Sequence, residues 1–234
     1  MMVMVVTALE KFVLSSIKYG SSIVIYGKRA TGKTTLIKDL CHEKNFGQNI
    51  VFSSYPHEFF SSKGNVYDIY DPSLVKKFDE CVDENCNPVF IAESFYSSAK
   101  NSEKLGKNIS GSSYLKESVF KKFIEERDLN GITVINAFPQ PTKESLNLDA
   151  DYIFAFKDTS TSTTPMKSIY KEIISKKFES VDFESFEKIY KEGQKQDHSC
   201  FVIDIKNKKF YTYKTDIDKL NKVDPESYFS WFWP

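Results

Sequence analysis

The stretch Gly27-Lys28-Arg29-Ala30-Thr31-Gly32-Lys33-Thr34 matches the pattern G-x-x-x-x-G-K-[ST] at every position that the pattern defines. The apolar run 23–26 before it predicts a short buried strand, and residues 35–40 after it predict the first turns of a helix. In that setting, backbone N–H groups of the loop and of the helix N-terminus converge on a phosphate chain. The stretch therefore predicts a nucleoside-triphosphate site on a strand–loop–helix unit, and a chance match in a glycine-containing turn is the weaker interpretation.

The pattern gives a chemical role to particular residues of this loop. We expect the Lys33 amine to reach the β- and γ-phosphates of ATP and the Thr34 hydroxyl to take a coordination position on Mg²⁺. The other nucleotide-binding residues that we expect are the rest of the loop and the residue that follows it: Gly27, Lys28, Arg29, Ala30, Thr31, Gly32 and Thr35.

Composition places the chain among intracellular globular proteins. Its 234 residues are 41% hydrophobic and 27% charged, and 32 Lys+Arg balance 32 Asp+Glu, so no overall charge attracts nucleic acid or a membrane. The four cysteines lack the spacing of zinc sites, which predicts reduced thiols. The apolar start of the chain is too short to span a bilayer and lacks the features of a signal peptide. We therefore expect a soluble, intracellular protein with a single domain over residues 1–234.

Helical and strand patterns alternate along most of the chain, which predicts an α/β fold with a mostly parallel central sheet flanked by helices. The last two apolar runs, 200–205 and 210–213, predict a C-terminal β-hairpin. The other predicted segments are strands at 23–26, 49–53, 88–92, 132–137 and 152–156, helices at 72–84, 114–127, 167–177 and 182–192, polar loops at 97–113 and 158–165, and an aromatic tail at 224–234 that folds back or binds a partner.

An ATP-hydrolysing site also needs a carboxylate at the end of a neighbouring strand. The segment Val89-Phe90-Ile91-Ala92-Glu93 fits best, with Glu93 as the general base that polarises water and as an indirect support for the metal. Ala92 stands where an aspartate normally holds the water shell of Mg²⁺, and losses of that kind typically cost ~10–100-fold. An ordinary polar residue at the start of a loop is the other interpretation of Glu93. We discount Asp204, after another apolar run, because we expect it to face solvent on an edge strand.

Two further polar residues are candidates for the same site. Gln140, after the fourth predicted strand, fits a residue that orients water at the γ-phosphate; Asn136 is an alternative, and Gln140 as an ordinary loop residue is another. The chain has only two arginines, and Arg29 lies inside the loop. Arg127 is therefore left as the arginine that reaches the γ-phosphate of a neighbouring subunit, although an arginine that stabilises a helix C-terminus fits it equally well.

Taken in order, these segments resemble the genome-packaging ATPases of large DNA viruses (poxvirus and giant-virus relatives), within the FtsK/HerA-like P-loop superfamily. The resemblance covers about residues 20–215. It rests on the loop 27–34, the strand ending in Glu93, Lys107-Asn108-Ile109-Ser110, Arg127-Asp128-Leu129-Asn130, the strand leading to Gln140, and the segment 149–154. It implies a P-loop fold of the additional-strand (ASCE) type, in which the fourth strand is inserted between the loop strand and the strand that carries Glu93.

The resemblance also implies a function. Proteins of this kind form a ring, for which we expect five or six subunits, and hydrolyse ATP with Mg²⁺ to pump double-stranded DNA into a preformed capsid. It assigns catalysis to Lys33, Glu93, Gln140 and Arg127, implies a capsid or portal component as partner, and implies a location in the host cytoplasm at the viral assembly site or in the virion. Ala92 departs from the acid usual there, which puts metal binding and full turnover in doubt.

Contact with DNA and two other functions stay open at this point. Lys100, Lys104 and Lys107, in the polar loop 97–113, fit a sequence-independent contact with DNA phosphates, and they also fit an ordinary solvated loop. Ala92 favours a weakened nucleotide-binding scaffold. A small-molecule or nucleotide kinase would have the same loop, but such kinases usually clamp the transferred phosphate with arginines, which this chain lacks.

Overall fold

The computed structural model describes residues 9–44, 46, 48–53, 64–68, 87–93, 131–157 and 163–215. Several predicted segments lie outside the described residues: the helices 72–84 and 114–127 with Arg127, the loop 97–113 with its lysines, residues 158–162 and the tail 224–234. The chain divides into two compact units, residues 1–17, 22–40 and 138–215 in the first and residues 18–21, 41–137 and 216–234 in the second. The expectation of a single domain stays a prediction.

The described secondary structure follows the alternation that the sequence predicts. The strands are β1 (Glu10–Lys11), β2 (Ser22–Tyr26), β3 (Gln48–Ser53), β4 (Gly64–Asp68), β5 (Pro88–Glu93), β6 (Thr133–Phe138), β7 (Tyr152–Phe156), β8 (Ser199–Asp204) and β9 (Lys209–Lys214). The helices are α1 (Lys33–Lys44), α2 (Lys143–Leu146), α3 (Thr164–Ile169), α4 (Ser175–Lys177) and α5 (Phe183–Gly193), with a 3₁₀ turn at Leu14–Ser16 and a π-helical segment, Tyr170–Ile174, between α3 and α4.

In the first unit the strands follow the spatial order β1-β9-β8-β7-β2. β2 and β7 pair in parallel, with Tyr26 opposite Ala155, and every residue of both strands is buried. Strands covered on both faces are the ones that read as continuous apolar runs, as both of these do. β8 is antiparallel to β7 and to β9, so the predicted C-terminal hairpin is confirmed.

The core of the first unit lies between one face of these strands and the helices after β7. Phe186 of α5 is fully buried and packs against Phe201 of β8, with ring centroids 5.9 Å apart. Asp182 caps α5, because its Oδ1 accepts a hydrogen bond from the backbone N–H of Ser185 at 2.8 Å. On the outer face of α5, charged pairs such as Glu184–Lys188 follow the i,i+4 spacing of an exposed helix surface.

In the second unit the strands follow the order β6-β5-β3-β4, and all of these pairs are parallel. β6 lies next to β5, and its Val134 N–H donates to the carbonyl of Ser21, the residue before the loop strand. At its other end, the carbonyl of Phe138 accepts from the N–H of Gly27, the residue after that strand. These are the connections that the predicted inserted strand requires, and the predicted fold class, an α/β fold with mostly parallel strands flanked by helices, is confirmed.

Two expectations about strands were wrong. Asp204 does not face solvent on an edge strand: it is 4% exposed, and β8 lies between β7 and β9. Its carboxylate accepts from the backbone N–H and the side-chain amide of Asn207, so its role is to close the hairpin turn. β4 was not predicted, because Gly64-Asn65-Val66-Tyr67-Asp68 lacks the apolar run that marks the other strands.

Candidate nucleotide-binding site

The loop between β2 and α1 begins in the core and ends as the first turn of a helix. Gly27 is buried, and α1 starts at Lys33 with a bond from the N–H of Leu36 to the carbonyl of Gly32 at 2.9 Å. Between them, Ala30 and Gly32 have positive φ angles of 63° and 111°. An alanine in this left-handed region costs roughly 1–2 kcal/mol, so its neighbours must hold it there. The alternation of backbone conformations turns successive N–H groups toward one concavity, which is the geometry that binds anions.

The Lys33 side chain curls back over the start of the loop. Its Nζ donates to the carbonyl of Gly27 at 2.6 Å and to that of Lys28 at 2.8 Å, and the Thr31 hydroxyl donates to the same Lys28 carbonyl at 2.9 Å. The lysine is only partly exposed, whereas Lys28 and Arg29 are exposed. One ammonium group is thus held within the concavity of the loop, as the predicted role of Lys33 requires.

The segment that carries Gln140 is fixed beside the first residue of the loop. Before it, the Phe138 carbonyl accepts from the Gly27 N–H at 3.0 Å. After it, the Tyr26 hydroxyl donates to Ser145 Oγ at 3.1 Å, and burial raises the Tyr26 pKa far above its ordinary value, so the hydroxyl stays protonated. Thr142 and Ser145 bond to each other across the first turn of α2. Gln140 lies in the bend between these anchors and is exposed.

Glu93 and Ala92 end β5, in the second unit. Ala92 is 2% exposed and lies opposite Asn136 of β6, while Glu93 lies opposite Ala137. Asn136 is 1% exposed, and within the described part of the chain neither atom of its side-chain amide has a hydrogen-bond partner. Leaving a buried amide unpaired costs ~1–3 kcal/mol, so Asn136 needs a physical explanation. Arg127, the predicted catalytic arginine, lies outside the described residues.

The described residues contain no cluster of acidic, histidine or cysteine side chains that would hold a metal by itself. That agrees with the way in which the loop pattern holds Mg²⁺, which uses one hydroxyl, here that of Thr34, together with the phosphates. Within the same residues, no helix is both long enough and apolar enough to cross a membrane.

Comparison with known proteins gives a likeness in structure only. No protein-family model and no curated protein matches the sequence. The DNA-packaging ATPase B204 of Sulfolobus turreted icosahedral virus superposes with a TM-score of 0.54 at 14% identity, over 86% of this chain and 100% of that one. The genome-packaging NTPase B204 of the related virus 2, in complex with ATPγS, gives 0.52 at 14% identity with the same coverage. The pCW3 conjugation coupling protein TcpA with ATPγS gives 0.59 at 8% identity, over 90% of this chain and 64% of that one.

The chain has a P-loop ATPase fold. Residues 27–34 are its P-loop, β2 is the P-loop strand and α1 is the P-loop helix. At identities of 8–14% the likeness concerns the fold, and the activities of B204 and TcpA belong to those proteins.

Several residues around the P-loop are absent from the sequence-based prediction. Phe156 lies against both glycines of the loop, Thr215 lies near Gly32, and Tyr213 donates to the Asp39 carboxylate of α1 at 2.8 Å. The sequence marks 152–156 and 210–213 as strands, but nothing in their periodicity says that they end beside the P-loop. A usable signal is that parallel strands of such sheets present their carboxyl ends at the ligand-binding edge.

Proposed function

We propose that this protein hydrolyses ATP and uses the energy to move double-stranded DNA, and that in a ring of five or six subunits it packages a viral genome into a preformed capsid. The observation that carries the proposal is the P-loop, where Lys33 Nζ lies 2.6 and 2.8 Å from two loop carbonyls at the start of α1. A concavity of backbone N–H groups with one ammonium group inside it suits a polyphosphate and offers no specific contact to an apolar ligand.

The fold of the neighbours supports the second half of the proposal. The viral packaging ATPase B204 is matched over its full length, so this chain contains counterparts of every part of that protein's fold. TcpA, from a conjugation system, is matched over 90% of this chain. A P-loop chain with two arginines lacks the arginine clamp of a kinase, which favours a motor over phosphate transfer to a small acceptor.

The residues have distinct roles in the proposed reaction. ATP with Mg²⁺ supplies the phosphoryl group, and the P-loop amides and Lys33 bind it. Thr34 offers its hydroxyl to the metal, Glu93 takes the proton of the attacking water, and Gln140 orients that water. Arg127 of one subunit stabilises the charge that develops at the site of its neighbour, a contribution of ~10³–10⁵ in rate in related enzymes.

A second candidate function is a nucleotide-binding scaffold with little turnover. The observation that favours it is Ala92, because no carboxylate is available at this position of β5 to hold the water shell of the metal. In that case nucleotide binding through the P-loop persists, and hydrolysis is slow with or without DNA.

A steady-state ATPase assay with and without long double-stranded DNA tests the proposal. We expect DNA to stimulate hydrolysis, and we expect the stimulation to fall as salt rises, because phosphate contacts release counterions. Lys33→Ala should lower turnover by about 100-fold or more. Lys188→Ala removes an exposed lysine of α5, 63% exposed and paired with Glu184, and should leave turnover unchanged.

Each other result of this assay points to a different function. Nucleotide binding without turnover supports the scaffold, and transfer of phosphate to a small acceptor supports a kinase. Hydrolysis that is equally fast with and without DNA contradicts the DNA motor, and no binding of Mg-ATP at all contradicts the whole proposal.

A further inference from the structure

One side chain lies against both glycines of the P-loop. A Cβ built on Gly27 would lie 3.0 Å from Phe156 Cβ, and one built on Gly32 would lie 3.0 Å from Phe156 Cε1. Real Cβ atoms seldom approach other heavy atoms so closely. Phe156 therefore fills the space that side chains at both positions would need, and the loop rests on it directly.

The position of Phe156 follows from strand register. β7 runs parallel to β2, and Ala155 lies opposite Tyr26, so the next residues in register are Phe156 and Gly27. Phe156 is 3% exposed, although it is the last residue of β7 and lies at the edge of the sheet where the loop begins. Burial at a strand end means that the loop itself covers the ring.

The C-terminal hairpin supplies the rest of this support. Thr215 Oγ1 lies 3.7 Å from the Cβ position of Gly32, and the Thr215 N–H and hydroxyl both donate to the carbonyl of His198, at 3.3 and 3.2 Å. The Tyr213 hydroxyl donates to the Asp39 carboxylate of α1 at 2.8 Å. The loop and the helix after it are thus both attached to the strands beside β2.

We propose that Phe156 is a positioning residue for nucleotide binding, which acts by holding the P-loop in its phosphate-binding conformation. The inference rests on the proposed nucleotide binding and names no contact between Phe156 and the ligand. Ala30 and Gly32 occupy a strained, left-handed conformation that persists only where the surroundings impose it. Without the ring below Gly32 the loop relaxes, its N–H groups no longer converge, and binding must first restore their arrangement.

The test compares Phe156→Leu with Phe154→Leu. Phe154 is a matched control because it belongs to the same strand and the same face, is fully buried, and packs against Phe12 and Tyr213. Calorimetry with ATPγS and Mg²⁺, at a temperature where circular dichroism shows both variants folded, gives the dissociation constant. We expect Phe156→Leu to weaken binding about 10-fold or more and Phe154→Leu to change it by less than about twofold, even though Phe154→Leu also lowers the unfolding temperature.

Hydrogen exchange in the ligand-free protein tests the same inference without nucleotide. Amides of residues 27–35 should exchange faster in Phe156→Leu than in the wild type and in Phe154→Leu. Equal affinity in Phe156→Leu and the wild type, or unchanged exchange in the loop, overturns the inference while the proposed function stands. A wild-type protein that binds no nucleotide contradicts the proposed function instead, and the exchange result still decides whether Phe156 holds the loop.

Discussion

Ala92 occupies the position in β5 where an ATP-hydrolysing site normally carries an aspartate. Asn136 lies beside it on β6, on the same face of the sheet, with an unpaired and buried amide in the described structure. Neighbouring strands are ~4.8 Å apart, so a carboxylate at position 92 would lie within reach of that amide as its hydrogen-bond donor. The chemistry of this pair connects directly to the choice between a motor and a scaffold.

We predict that Ala92→Asp raises ATP turnover by ~10–100-fold, because it restores support for the water shell of the metal. Burial of a charge here is compensated in part by the Asn136 amide, so the protein should remain folded at the assay temperature. Ala92→Asn is the matched control, since it has nearly the same shape without the charge and should not raise turnover. If both variants hydrolyse ATP at the wild-type rate, Ala92 does not limit the reaction.

The same scale shows what residue types alone could reveal about the site. Gly27, Gly32, Lys33 and Thr34 were predictable because their roles depend on backbone geometry and on chemistry encoded within eight consecutive positions. Phe156 was not, because its role depends on which strand lies next to β2, and a phenylalanine in an apolar strand is normally only a core residue.

At the scale of elements, α5 shows how a local signal defines a helix boundary. The structure begins α5 at Phe183, with Asp182 as its cap, close to the predicted start at residue 182. Hydrogen bonding from the backbone of Ser185 lowers the Asp182 pKa below its usual range. The cap therefore stabilises the fold fully above the pKa of an unfolded aspartate, about 3.9, and loses its effect as the pH falls through the lower folded value.

We predict that Asp182→Ala lowers the unfolding temperature at pH 7 by about 2–4 °C, because the bond to the Ser185 N–H is lost. Asp182→Asn keeps an acceptor at the cap and should lose much less. At a pH below the folded pKa of Asp182, the difference between the wild type and Asp182→Asn should shrink, because the wild-type carboxyl is then protonated. Thermal unfolding followed by circular dichroism measures all three, and equal unfolding temperatures at pH 7 would contradict the capping role.

Elements also show where periodicity fails. The predicted helix 167–177 is helical over Thr164–Lys177, but its middle, Tyr170–Ile174, is π-helical, which a 3.6-residue pattern does not distinguish. Asp204 looked like an exposed residue because it ends an apolar run, yet the carboxylate is buried by the turn that it closes.

At the scale of the whole molecule, the proposed ring requires that one subunit complete the site of another. We predict that Arg127→Ala loses ATP turnover while keeping the wild-type affinity for ATPγS, because the arginine acts on a neighbour's γ-phosphate and not on its own P-loop. Light scattering with ATPγS should show a particle of several subunits for the wild type and for the variant.

Mixing two inactive variants gives the sharper measurement. Lys33→Ala subunits keep Arg127, and Arg127→Ala subunits keep the P-loop, so mixed rings contain some complete sites and should regain hydrolysis. Activity that does not return on mixing, although the variants co-assemble, places Arg127 within its own site. Normal turnover of Arg127→Ala alone excludes any catalytic role for it.

The sequence by itself determined the P-loop, the alternation of strands and helices and the closing hairpin, because each of these follows from local patterns of residue type over a few positions. Only the tertiary structure decided that Phe156 and Thr215 lie against the glycines of the loop, that Asp204 is buried, and that Asn136 is unpaired beside Ala92. Those facts depend on which distant strands pair and in what register, and long-range pairing of that kind leaves no periodic mark on any one strand.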